Sequence, residues 1–313
     1  MKKSTEKKTA SKTVKKTTAK VEKKSACKTA KSKSSKKEKT TVAQKAPEKE
    51  LLGNRVLYHD EETDLSAEVN FTDGKLNGQA LWYNRNGQLA EECHYINGLK
   101  EGPYKSYYEN GQLQKQAFFA NDKYQGEVVT YYPSGELQSK CCYTDGLKDG
   151  QNCFYYKSGQ IYEDSTYKND ELNGECKIYY EDGTLKKQCV FKDGALNGKY
   201  KSYYPNGSLF EESVYRNDKP SGACTLYYEN GKPRKIISFK AGQKNGLSQS
   251  FYENGQLRYE GKFVNDLAQK EHLVYDEEGK LQYCAEFENG KMLKAYKPNL
   301  SNKFKGLMKK IFS

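Results

Sequence analysis

An all-β fold is predicted here, an elongated single-layer antiparallel sheet of tandem β-hairpins, and three observations predict it. Glycine stands at positions 87, 111, 135, 159, 183, 207, 231, 255 and 279, one every 24 residues. A second glycine series runs with the same spacing from Gly78 through Gly102 and Gly126 to Gly246. Aromatic columns keep step with both: Tyr83, Tyr107, Tyr131 and their successors on one side of the turn, Phe71, Tyr95, Phe119 and theirs on the other. A fixed period of this length marks a repeat array, in which each unit packs mainly on its neighbours.

The elements follow in order from one unit, Gly102 to Gln125, which reads GPYKSYYENGQLQKQAFFANDKYQ. The aromatic pair Tyr107-Tyr108 leads into Glu109-Asn110-Gly111, and Asn-Gly, Ser-Gly or Asp-Gly between apolar runs supplies the positive φ of a hairpin turn. In the second strand Leu113, Ala117 and Phe119 lie an even number of residues apart, which places them on one face. Tyr107 and Tyr108 point to opposite faces by the same rule. The far turn alternates between Asn-Asp, as in Asn121-Asp122, and a pair ending in glycine, as in Asp145-Gly146. Both serve, because Gly, Asn and Asp tolerate left-handed backbone. The resulting two-unit period points to growth by doubling.

The pattern Y-Y-x-x-G-x-L followed by F-x-x-G-x-x-x-G, over about residues 54 to 293, resembles the bacterial variant of the MORN repeat known from YwqK-type antitoxin proteins. The resemblance implies a twisted antiparallel sheet of hairpins that acts as a protein-binding or scaffold module, without catalysis. An antitoxin or immunity-type protein that neutralises its partner by binding is the alternative it carries.

At its ends the pattern degenerates. The first unit keeps Leu65 and Phe71 but has Thr63 where a turn glycine belongs, and the last, from Lys270, lacks the opening glycine. Both read as caps that blunt exposed strand edges. Residues 1–50 hold 18 Lys and five Glu without one aromatic, a composition that predicts a disordered tail of charge +13. Residues 291–313 add seven Lys and no acid, which leaves −8 for residues 51–290 of the chain's +12. The expected division is a lysine-rich tail (1–50), a hairpin array (51–296) and a basic C-terminal helix (297–313). That helix carries Phe304, Leu307, Met308, Ile311 and Phe312 on one stripe.

Two roles are open for the helix, peripheral membrane contact by residues 299–313 or a cap on the last hairpin. The tail offers weak nonspecific polyanion contact or a solvated tether. Used together, the basic ends would make a membrane- or nucleoid-tethering adaptor. The opening MKKSTEKK has no apolar stretch of a secretory signal, so a cytoplasmic location is expected, peripheral to the inner face of the membrane if the helix binds there.

No catalytic, cofactor or metal site is read from the chain. His59, His94 and His272 fall in three different repeat columns, and no nucleophile elbow, zinc motif or Walker loop is present. The nine cysteines include no C-x-x-C, and those sharing a column two units apart would lie about 19 Å from each other, so small buried thiols are expected. The candidate face for a protein partner is the tyrosine column Tyr108, Tyr132, Tyr156, Tyr180, Tyr204, Tyr228 and Tyr252. Tyrosine offers rigid amphipathic area for binding, and aromatic ladders equally stabilise a sheet.

Overall fold

The computed structural model of the chain describes residues 51–52, 55–60 and 65–297, with side chains described from residue 66 onward. Among the described residues twenty-six strands form one sheet. The long strands pair antiparallel in chain order, from Arg55–Asp60 on Leu65–Thr72 at one end to Leu281–Glu288 on Lys291–Tyr296 at the other, while the two-residue strands Lys75–Leu76, Leu99–Lys100, Lys123–Tyr124 and Lys219–Pro220 pair only with the strand before them. The sheet is open, because among the described residues no strand of one end pairs with the other, and no helix occurs there. The predicted tail, Thr63, and the stripe of Phe304, Leu307, Met308, Ile311 and Phe312 lie outside the described residues.

Within one hairpin, Gly102–Tyr107 pairs with Leu113–Ala120 so that Gly102 faces Phe119, Tyr104 faces Ala117 and Ser106 faces Lys115. The next pair is Tyr107 with Leu113, which leaves Gln114 unmatched as a β-bulge. An equivalent shift recurs from Trp82/Tyr83 in an early hairpin to Val274/Tyr275 in the last. It corrects the expected grouping of Leu113 with Ala117 and Phe119. Counting in twos holds only along an unbroken ladder, and the extra residue sets Leu113 opposite Tyr107 on the other face.

Two kinds of turn close each unit. At the near turn Tyr108 N–H donates to Gln112 O (2.8 Å) and Gly111 N–H to Tyr108 O (2.8 Å). Only Gly111 is left-handed there (φ 81°), while Asn110 uses its side chain to accept the Gln112 N–H (3.0 Å). At the far turn both residues are left-handed, Asn121 at φ 51° and Asp122 at φ 64°.

The two-unit alternation changes the hydrogen bonding at these far turns. From Gly98 onward the second turn residue donates its N–H to the preceding hairpin, Asp122 to Lys100 O (3.0 Å) and Gly146 to Tyr124 O (2.9 Å). Where that residue is Asp, its carboxylate also accepts the N–H of the residue it donates to. Lys100, Lys148, Leu196 and Lys244 thus donate to Asp122, Asp170, Asp218 and Asp266 at 2.6–2.8 Å. Where it is Gly, no return bond is made. Pro220, which has no N–H, stands at one such position, facing Gly242.

The core is a single line of directly opposed residues on one face, here the inner face. Val128 faces Cys141, which on its other side faces Asn152, and the line continues through Ser165, Cys176 and Cys189. Asn152, Ser165 and Cys189 are 0% exposed. Bulk on one strand is met by a small residue on the next: Tyr104 faces Ala117, Tyr200 faces Ser213, and His272 faces Ala285. Gly261 completes the fit, because a Cβ there would lie 2.8 Å from the His272 ring and against the Tyr259 hydroxyl. Rings flank the line, with Phe119–Tyr124 centroids 4.5 Å apart and Tyr124–Tyr143 5.3 Å. Such interlocking volumes supply the close packing that a second layer gives other folds.

Candidate binding groove

Between the buried line and the near turns the inner face forms a groove. Its floor is a second line in which Ser106 faces Lys115 and, across the unit boundary, Glu91. The bulge turns Gln114 onto this face, where Ser106 Oγ–H donates to its Oε1 (3.3 Å). Two cavities lie along the groove. One of about 590 Å³ is bounded by Trp82, Glu91, Tyr104, Tyr108, Lys115 and Gln138. The other, about 470 Å³, is bounded by Leu226, Tyr228, Lys235, Phe251, Arg258 and Phe263.

The seven tyrosines singled out from the sequence come together as one rail along this groove. Tyr108 Oη–H donates to Tyr131 O (2.7 Å), Tyr132 to Tyr155 O (2.8 Å) and Tyr156 to Tyr179 O (2.9 Å). The series continues with Tyr180 on Tyr203 O, Tyr204 on Tyr227 O, Tyr228 on Phe251 O and Tyr252 on Tyr275 O, at 2.8–3.0 Å. Every hydroxyl therefore holds the next hairpin, and the half-buried rings remain as the wall of the groove. This accounts for one end of the column. Among the described residues no near turn follows that of Asp276, which accepts the Lys280 N–H (2.7 Å) within its own turn. Asn84 likewise closes its own turn, accepting from Gln88 N–H (3.0 Å).

Bulge residues pack against the rail, the aromatic ones edge to face. Ring centroids of Tyr156 and Tyr162 are 5.2 Å apart, those of Tyr204 and Phe210 5.1 Å, and Lys186 Nζ lies 5.1 Å from the Tyr180 ring. The column reads Ala90, Gln114, Gln138, Tyr162, Lys186, Phe210, Arg234, Arg258 and Gln282. It is the feature that the sequence reading missed, although a signal existed. The tyrosine rail beside it repeats from Tyr108 to Tyr252, whereas this position, like the floor columns of Ser106 and Lys115, changes from unit to unit.

Electrostatics differ along the groove. In the first cavity Glu91 accepts from Lys100 Nζ (2.5 Å) and Tyr104 Oη (3.1 Å), and Lys115 Nζ donates to Tyr124 Oη (3.1 Å). In the second, burial and the neighbouring charges of Lys244 and Arg234 pull the Lys235 ammonium below the usual lysine range.

The other titratable groups serve packing. His272 is buried, with Nδ1 3.0 Å from Tyr259 Oη, Nε2 3.0 Å from Lys262 O, and its ring 4.6 Å from that of Phe287. His94 is exposed, and the side chain of His59 lies outside the described residues. All eight described cysteines are free thiols. Burial pushes the Cys93 thiol up to about 11 and the Cys224 thiol to about 12, which keeps both protonated at neutral pH. One pair escaped the spacing argument: Cys176 and Cys189 sit in different columns yet face each other on adjacent strands, with Cys189 Sγ 3.7 Å from Cys176 O.

No curated protein matches the chain. Among solved structures it is similar to the crystal structure of TcdB2-TccC3-Cdc42, at 12% identity over 77% of this chain and 15% of that one, TM-score 0.18. It is also similar to the crystal structure of TcdB2-TccC3, at 14% identity over 75% and 16%, TM-score 0.18. The chain spans about 15% of the length of these structures, and at such TM-scores the likeness carries no argument. The model of the MORN repeat variant matches nine times, at residues 68–97, 100–121, 124–145, 148–169, 172–193, 196–217, 220–241, 244–265 and 269–292, in step with the hairpins. Nine copies in register over most of the array make this chain a member of the MORN repeat variant family.

Proposed function

We propose that the protein is a non-catalytic binding or scaffold protein that lays an extended segment of a partner protein along its inner groove. The observation that carries this reading is the bulge column. A frame of tyrosines and glycines holds each hairpin to the next, and beside it the bulge position of every unit is exposed or half-exposed and varies, from Ala90 to Phe210 to Arg258, as do the groove-floor positions next to it. Repeat proteins use such extended surfaces for binding, and here a constant tyrosine rail borders positions that vary. Partner contact falls on the ring edges of Tyr108, Tyr132, Tyr156, Tyr180, Tyr204, Tyr228 and Tyr252 and on the bulge residues beside them. An antitoxin or immunity-type role is a special case, in which the bound partner is a toxic protein. Tethering through the lysine-rich ends is a separate activity of residues 1–50 and 299–313.

A photo-reactive amino acid placed in the full chain tests the groove. Gln138 borders it, while Lys140, two residues on, faces outward opposite Val129. Expressed in the native host, the chain labelled at position 138 is expected to yield a partner adduct. Adducts from position 140 and none from 138 would overturn the assignment.

A further inference from the structure

The groove segment around Lys235 gathers four cations, Arg234, Lys235, Lys244 and Arg258, and its lining contains no acid. They come from three strands, Pro233–Lys240, Gln243–Phe251 and Leu257–Val264, so the register of the sheet brings them together. Among the described residues none of the four joins an ion pair, although five lysines elsewhere do. Aromatic rings hold three of them in place. Arg234 lies 5.4 Å from the Phe210 ring, Arg258 5.5 Å from that of Tyr252, and Lys244 5.2 Å from that of Phe263. A cation parked on a ring face keeps its N–H donors free along its edge. Ser248 and Ser250 add hydroxyl donors to the same 470 Å³ cavity, and Leu226 and Phe251 supply apolar wall.

Like charges are not left facing one another in a half-buried groove for stability, since each repels the next and loses hydration. The first cavity shows the ordinary solution, with Glu91 set against Lys100. We infer that the groove segment lined by Arg234, Lys235, Lys244 and Arg258 is an anion-accepting subsite that takes the carboxylates of an acidic, partly apolar polypeptide segment. The charge of the whole array selects a polypeptide over a nucleic acid. Residues 51–290 carry −8, so a uniformly charged phosphate chain running along the groove gains at this cluster and is repelled beyond it. A polypeptide with acids clustered beside apolar residues meets both the cations and the aromatic wall. This subsite rests on the reading of the groove as a partner-binding surface and adds the chemistry that one part of it recognises.

The test uses the full chain and a short fluorescent peptide in which glutamates alternate with leucines, carrying a photo-reactive group at its centre. Its twin has glutamine at each glutamate. Two variants remove the same charge, Arg234→Gln/Lys235→Gln/Arg258→Gln in the groove and Lys140→Gln/Lys199→Gln/Lys262→Gln on the outer face. Thermal melts of both establish that they fold. The expected result is that the groove variant loses at least about tenfold in affinity by anisotropy, equivalent to about 1.4 kcal/mol. The outer-face variant loses less than about twofold, the glutamine twin binds weakly, and the adduct maps to residues 226–263. Equal loss in both variants, equal binding of the glutamine twin, or adducts confined to residues 1–50 would overturn the subsite. Short single-stranded DNA or inorganic phosphate binding as tightly as the peptide overturns the polypeptide assignment. The two proposals fail separately: loss of the partner adduct at position 138 with peptide binding intact sinks the general groove reading, and the reverse sinks only the anion subsite.

Discussion

On the inner face Tyr200 lies opposite Ser213, and one residue further along the same two strands, on the outer face, Lys201 lies opposite Glu212. The contrast repeats along the sheet, with Cys176 against Cys189 inside and Lys177 against Gln188 outside. Inner pairs answer to volume. A ring at Tyr104 is matched by Ala117, and the His272 ring requires both Ala285 and Gly261. Outer pairs answer to charge and solvent, where many residue types are equivalent. Variation on the inner line is therefore compensated within the fold, and variation that reports a partner must lie at the groove edge or outside.

The strongest challenge to this division is to overfill one face and trim the other at adjacent residues. Gly261→Val is expected to cost about 3 kcal/mol in urea denaturation, because its side chain meets the His272 ring and the Tyr259 hydroxyl. Lys262→Ala, on the outer face, is expected to stay within about 0.5 kcal/mol. Adding His272→Ala to Gly261→Val is expected to recover part of the loss, since residues in contact couple. Similar costs at 261 and 262 would erase the distinction between the faces.

A smaller effect separates two glycines at one repeat position. Gly198 has φ 141°, and an added Cβ would lie 2.9 Å from Val190 Cβ, whereas Gly102, at φ 86°, opens onto free space. Gly198→Ala is expected to cost about 2 kcal/mol through strain and crowding together. Gly102→Ala is expected to cost about 1 kcal/mol from backbone strain alone. Equal losses would mean that crowding against the outer-face Val190 contributes nothing.

Much of this architecture is legible in the sequence because a repeat states each rule many times. The glycine and aromatic columns locate every hairpin, and the Asn, Asp and Gly pairs locate the far turns. Lys270 shows the limit of reading a column by residue type, since it keeps the left-handed backbone (φ 62°) of the glycines it replaces. The bulge at Gln114 was hidden because alternation carries no mark of a single unmatched residue. That one omission displaced Leu113 and concealed the variable column beside the tyrosine rail. The cation cluster was hidden for a related reason: Arg234 and Arg258 share the overlooked bulge column, Lys235 and Lys244 stand in two others, and the four meet only through strand register.

At the groove edge, Tyr156→Phe keeps the ring and removes the hydroxyl that bonds Tyr179 O (2.9 Å). The expected loss is about 1 kcal/mol, the net worth of one such hydrogen bond, with the partner adduct at position 138 retained. Loss of the adduct without loss of stability would make the hydroxyl a partner contact and move the rail from scaffold to binding surface.

The smallest effect is expected on the outer face itself. Lys201 Nζ lies 3.0 Å from Glu212, with the side chains 36% and 47% exposed, so solvent screens most of their attraction. A double-mutant cycle, Lys201→Ala with Glu212→Ala, is expected to give a coupling of about 0.5 kcal/mol or less in low salt, vanishing in molar salt. A coupling above about 1 kcal/mol that survives salt would show this pair to be held as tightly as Tyr200 and Ser213 beside it. The outer face would then be a second core, and its polar line would no longer be free to vary.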